Sequence, residues 1–255
     1  MTIKKPLIIS ISIAALVTVL ATGTFILLNR TPDSVYDTAA TRLEDVKAAG
    51  INSGQLLGAL TSPDLIDEPV LSELQELHAS YVKSLESLQN TSTTNQDEKI
   101  RSAVSAELAP LRTYGDNIDS TITSIDRYVA IRDACTAFAQ KADSLTTIKA
   151  FTESSEVCST LLEYTEPDQS DTFARQYLDN YIAKVKQVVS AHETLIEAKT
   201  SQRSILAAQT ALTAAENDVK KLRETELTLT PDTNFAESIA RIETVISKQK
   251  DAYIR

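Results

Sequence analysis

Apolar residues recur at intervals of three and four along most of this chain, the spacing that gathers side chains onto one face of an α-helix. Tyr36, Ala39, Leu43 and Val46 form a short stripe that predicts a helix closing near Gly50. Leu71, Leu74, His78, Tyr81, Leu85 and Leu88 continue in the same rhythm, and the polar stretch Asn90 to Gln96 predicts a linker after them. Ile100, Val104, Leu108 and Leu111 follow. Pro110 is predicted to bend or break that helix, because proline lacks the N–H and crowds the preceding turn. Gly115 predicts a joint. Beyond it, Ile118, Ile122, Ile125, Tyr128, Ile131, Cys135 and Phe138 make one face.

A shorter helix carries Val157, Cys158, Leu161 and Leu162. The longest patterned stretch, about Ser170 to Leu227, changes phase between Thr200 and Ser204, which predicts a turn or stutter there. Phe235, Ile239, Ile242, Ile246 and Tyr253 close the chain. A Pro-Asp step punctuates the pattern at Thr31-Pro32-Asp33, Ser62-Pro63-Asp64, Glu166-Pro167-Asp168 and Thr230-Pro231-Asp232. A hydroxyl cap, a proline in the first turn and an early carboxylate all favour a helix N-terminus, so these steps predict helix starts.

One region departs from this periodicity. Pro6 to Leu28 contains no charged residue, with Lys4-Lys5 before it and Arg30 and Asp33 after it. About 20 apolar residues suffice for a helix to cross a bilayer. Two lysines on the N-terminal side predict that this end stays in the cytoplasm. The segment is therefore expected to be an uncleaved single-pass anchor, with the remainder extracytoplasmic. The alternative is a signal peptide, cleaved near Ala21 or Gly23, that releases a secreted protein. Phe25-Ile26-Leu27-Leu28 runs past both sites and favours the anchor.

Composition reinforces the helical pattern. Only 5 glycines and no tryptophan occur in 255 residues, which leaves little material for phosphate loops or hairpins. Stripes of this kind must bury one another, so the fold class expected is all-α: one transmembrane helix followed by an antiparallel helical bundle, or two stacked bundles sharing a long helix. The expected organisation is a cytoplasmic end at 1–5, the anchor at 6–28, a first helical part at 29–165 and a second, with long helices, at 166–255. None of the 35 acidic residues precedes Thr31, whereas Lys4, Lys5 and Arg30 do, so the chain's formal charge of −10 becomes −13 beyond the anchor. Such acidity repels phosphate backbones, and no nucleic-acid partner is expected.

Cys135 and Cys158 are the only cysteines, and the midpoint between them falls at Thr146-Thr147, within a predicted helical turn. Antiparallel arms place such residues opposite each other, and export permits oxidation, so a disulfide is expected. His78 and His192, the only histidines, lie on or beside apolar stripes and match no metal-binding spacing; packing, with the polar tip at the rim, is the expectation for both. Acidic groups at Asp64-Asp67-Glu68, Asp116-Asp119 and Glu166-Asp168-Asp171 are expected at helix starts. No catalytic, cofactor-binding or metal-binding residue is assigned. The function expected is structural or protein-binding at the cell envelope, without catalysis. The alternative is a sensory or small-ligand-binding bundle with a pocket at His78 or His192.

Overall fold

A computed structural model describes residues 35–163, 172–230 and 234–254, and those residues form an all-helical structure. The helices are α1 (Val35–Ala59), α2 (Glu68–Thr94), α3 (Glu98–Ala142), α4 (Ile148–Glu163), α5 (Phe173–Ser201), α6 (Ile205–Arg223) and α7 (Asn234–Ile254). Among the described residues, no helix is long and apolar enough to cross a membrane. The predicted anchor at 6–28, the Pro-Asp steps at 32, 167 and 231 and the boundary predicted at 166 all lie outside the described residues.

Helix α3 organises the molecule. At 1.5 Å per residue its 45 residues span about 67 Å, long enough to serve two packing units in succession. Along its first half, α1, α2 and α7 complete a four-helix bundle in which α1 packs on α2, α2 on α3, α3 on α7 and α7 on α1. Neighbours run antiparallel. Lys250 of α7 reaches Asp37 at the start of α1, whereas Phe235 meets Gly50 deeper along it. Along the second half, α4 folds back and α5 runs beside α3 in the same direction, with Tyr128 near Tyr177 and Phe138 near His192. Helix α6 packs against α5. A connecting segment then returns past the α1–α2 link, where the Leu227 N–H donates to the Thr61 carbonyl at 2.9 Å. One continuous apolar core runs from Ala39 to Ile246 through both halves.

Several predicted boundaries are corrected. Helix α1 does not close at Gly50 but continues to Ala59, and α3 passes through Gly115 without a joint. The reason is shared. Gly50, Gly54, Gly58 and Gly115 all lie within helices and none has positive φ; at Gly50, Gly54 and Gly115 another side chain approaches closely. A Cβ at Gly50 would enter the Phe235 ring, and one at Gly115 would lie 2.9 Å from Tyr81 Cε1. Tertiary contact thus outweighs the roughly 1 kcal/mol that glycine costs a helix.

Pro110 likewise sits inside α3. Ala106, whose carbonyl loses its partner, is exposed to water, while Val104, Leu108 and Leu111 hold the opposite face in the core. The polar stretch predicted as a linker at 90–96 is helical to Thr94; Thr91 is buried there and accepts from Arg42 at 3.1 Å. Ser62-Pro63-Asp64 starts only a three-residue 3-10 turn, and α2 begins one step later, where Asp67 caps the Val70 N–H at 3.0 Å. The predicted phase change at 200–204 is a true turn. Gln202 closes α5 there in the left-handed region, at φ 53°.

Candidate functional site

The predicted cysteine pair is joined. Cys135 and Cys158 form a disulfide between α3 and α4, with Cα atoms 4.8 Å apart. The turn between those helices covers residues 143–147, so the arms pair as equal distances from Thr146-Thr147 require. Both cysteines are buried, which shields the bond from solvent thiols and suits a structural clamp.

Structure assigns the two histidines different settings. His78, on α2, places Nδ1 3.6 Å from Asp119 Oδ1 on α3, and its Nε2 is buried without a hydrogen-bond partner. It stands at the end of a groove of about 380 Å³ between these helices, walled by Tyr81, Val82, Glu86, Arg112, Asp116 and Asp119. Gly115 lies in its lining, where the Tyr81 ring packs closely on the α3 backbone. Asp116 and Asp119 were expected at a helix start. They lie mid-helix instead, because α3 does not stop at Gly115, and they supply the groove's acidic wall.

His192, on α5, is not at a rim. It is only 3% exposed, edge-on to Phe138 at 5.7 Å, with Nε2 lacking a hydrogen bond and 3.9 Å from Glu216 Oε1 on α6. Burial holds its imidazole below the ordinary histidine range, against the opposing pull of Glu216 and Asp143.

A third cluster was not foreseen. At the waist between the two halves, Tyr128 packs edge-on against Tyr177 at 5.6 Å and Tyr181 at 4.8 Å. The Arg132 guanidinium lies 5.7 Å from the Tyr128 ring centre and donates to the Ile66 carbonyl at 2.5 Å. Arg223, at the end of α6, pairs with Asp64 in the α1–α2 link. Burial pushes the phenol pKa of all three tyrosines above its ordinary value, and they remain neutral at physiological pH. Arginine can bond distant carbonyls while stacking on a ring, and here it ties the link between α1 and α2 to α3 and α6. The sequence signal available was Arg132 four residues after Tyr128, on one helical face. Asp64 and Arg223 are too far apart in the chain for periodicity to join them.

Of the predicted acidic groups, Asp67 caps α2 and Asp64 serves this waist, whereas 166–171 lie outside the described residues. Among the described residues, no group of three or more His, Cys, Asp and Glu side chains is placed to hold a metal ion. Comparison with protein-family models, curated proteins and solved structures found no match to this chain.

Proposed function

We propose that this chain is a membrane-tethered, extracytoplasmic helical domain that works as a spacer and by binding another protein, rather than by catalysis. The observation that carries the reading is the uncharged run from Pro6 to Leu28, with lysines on its N-terminal side. The joined cysteines support it, since disulfides persist on the oxidising side of a membrane. The strongly acidic composition fits a solvated surface held away from anionic lipid.

Residues 29–34 span at most about 20 Å when extended. The bundle end that carries Val35 would therefore sit close to the lipid, and the roughly 67 Å of α3 would carry the α5–α6 turn outward. The test is topology combined with redox state. Protease added to sealed cells should digest the helical body, and thiol blocking in denaturant before reduction should leave Cys135 and Cys158 unlabelled. Protection of the body in intact cells, with both thiols free, refutes the proposal.

The groove beside His78 favours a second reading, a bundle that binds a small ligand. Its acidic wall over an apolar floor at Val82 and Leu85 would suit a cationic compound. A thermal-shift screen of organic amines separates the two readings. A midpoint raised in the native chain but not in Val82→Trp, which fills the groove, selects the ligand.

A further inference from the structure

Helix α6 has one helical neighbour across most of its length. Its contact with α5 is a small separate core of Leu195, Ala198, Ala208 and Leu212, outside the main one. Around that core its face is open: Leu206 is 77% exposed, and Ala207, Ala211 and Ala214 face solvent. Near its C-terminal end Val219 and Leu222 lean partly buried on the main core, and polar ties add to them through Lys184–Asp218 at 2.9 Å, the Tyr177 hydroxyl to the Leu222 carbonyl, and Arg223–Asp64. Local stability follows buried apolar contact, so this helix should open before the rest of the molecule. Beside the α5–α6 seam sits His192, edge-on to Phe138 of α3 and 3.9 Å from Glu216 of α6, with an orphaned nitrogen in a protein whose other buried groups are mostly satisfied.

We propose that α6 is a strap that acid releases, with His192 as the group that responds. In the docked state the imidazole is dry and neutral. Adding a proton there places a cation 97% out of water, with Nε2 3.9 Å from a carboxylate that is itself 52% exposed. Solvent screens such an acceptor, so its attraction does not replace the lost hydration. Lifting α6 lets the ring hydrate.

The other charged groups around the ring do not reverse this balance. Asp143, at the end of α3, adds attraction, and Lys199, on the same helix as the ring, adds repulsion. On α4, Lys149 and Glu153 pair with each other in solvent at 3.9 Å. Burial lowers the docked proton affinity below that of a free histidine, near 6.5. The released state therefore binds more protons below about pH 6.5, and docking weakens as pH falls from there.

Hydrogen exchange of the full chain in detergent micelles, corrected for intrinsic rates, tests this directly. Between pH 6.5 and 5.5 the opening of α6 should rise by up to about fivefold, the limit over that interval for one proton on a released histidine near 6.5, while α2 stays constant as the internal reference. His192→Phe keeps an aromatic ring and should abolish the rise; His78→Gln should preserve it. Glu216→Gln removes the attraction but keeps the titrating ring, so its rise should be larger than that of the native chain. This last variant decides the matter if His192→Phe does not fold. Equal acid responses in α6 and α2, a response surviving His192→Phe, one lost in His78→Gln, or one unchanged or reduced in Glu216→Gln would each overturn the proposal.

Discussion

The two halves of α3 are packed in different ways. Around the first half, four helices close a ring, and its centre is an aromatic trio: Tyr114 stacks on Phe235 at 4.3 Å, and Tyr81 meets Tyr114 edge-on at 5.6 Å. Glycines on α1 and α3 let these rings approach, and their hydroxyls bond backbone carbonyls, Tyr114 to Gly50 at 2.8 Å and Tyr81 to Leu111 at 2.6 Å. Around the second half, a covalent bond holds α4, a tyrosine–arginine cluster holds the waist, and α6 leans on α5. The difference teaches that one apolar core can run the length of a molecule while the packing around it passes from a closed ring to an open edge. Resistance to opening is expected to follow that closure.

The largest effect should come from breaking the closed ring. Phe235→Ala removes the ring that fills the space between Gly50 and Tyr114, and should cost about 3–5 kcal/mol. Its denaturation midpoint should fall for α1, α2 and α7 together, because no member of the ring remains packed alone. A loss confined to α7, read by hydrogen exchange, would show that the first half is not cooperative.

Next comes the clamp. The disulfide spans 23 residues, and removing it in a Cys135→Ala, Cys158→Ala double variant should cost about 3 kcal/mol in the chain-entropy model. In contrast to Phe235→Ala, the loss should appear first in α4, and reduction of the native protein should reproduce it. A variant whose α4 protection equals that of the oxidised native chain would remove the clamp from the comparison.

Much of this fold was legible in the sequence. Helical periodicity located the stripes because nearly every buried side chain belongs to one, and the equal arms about Thr146-Thr147 located the disulfide. Misread positions had a common cause. Gly50, Gly115 and Pro110 carry strong local preferences against helix, but packing decides their state: Phe235 beside Gly50 and Tyr81 beside Gly115, both distant in the chain, and a buried stripe on the helix face opposite Pro110. The groove beside His78 and the waist cluster were hidden for the same reason. Asp119 and Asp64 resembled helix-start carboxylates until their partners, His78 and Arg223, were placed beside them.

A milder cut separates α6 from the rest. Leu212→Ala removes one of the four residues of the small α5–α6 core, and should cost about 2 kcal/mol, the lower end for such a truncation. The prediction concerns where that cost falls. Hydrogen exchange in α6 should rise by more than tenfold while α1 and α2 keep their protection, because the main core is not touched. If all helices lose protection equally, α6 is an integral part of the fold and the contrast between the halves fails.

The smallest effect has the opposite sign and sharpens the contrast at its far end. Gln202 terminates α5 at φ 53°, a left-handed conformation that costs a side chain about 1–2 kcal/mol. Helices commonly end there on glycine, which meets no Cβ penalty, yet Gly50, Gly54 and Gly115 are placed where aromatic side chains approach a helix. Gln202→Gly should relieve the strain and lose part of the gain to the greater freedom of the unfolded chain, leaving about 0.5–1 kcal/mol of stabilisation. Gln202→Ala, which keeps the Cβ, should give no gain. Because the turn joins α5 to α6, the benefit should appear as slower exchange in α6, with the four-helix ring unchanged. A gain in Gln202→Ala as large as in Gln202→Gly would mean that the turn is not strained and that α6 is loose for want of neighbours alone.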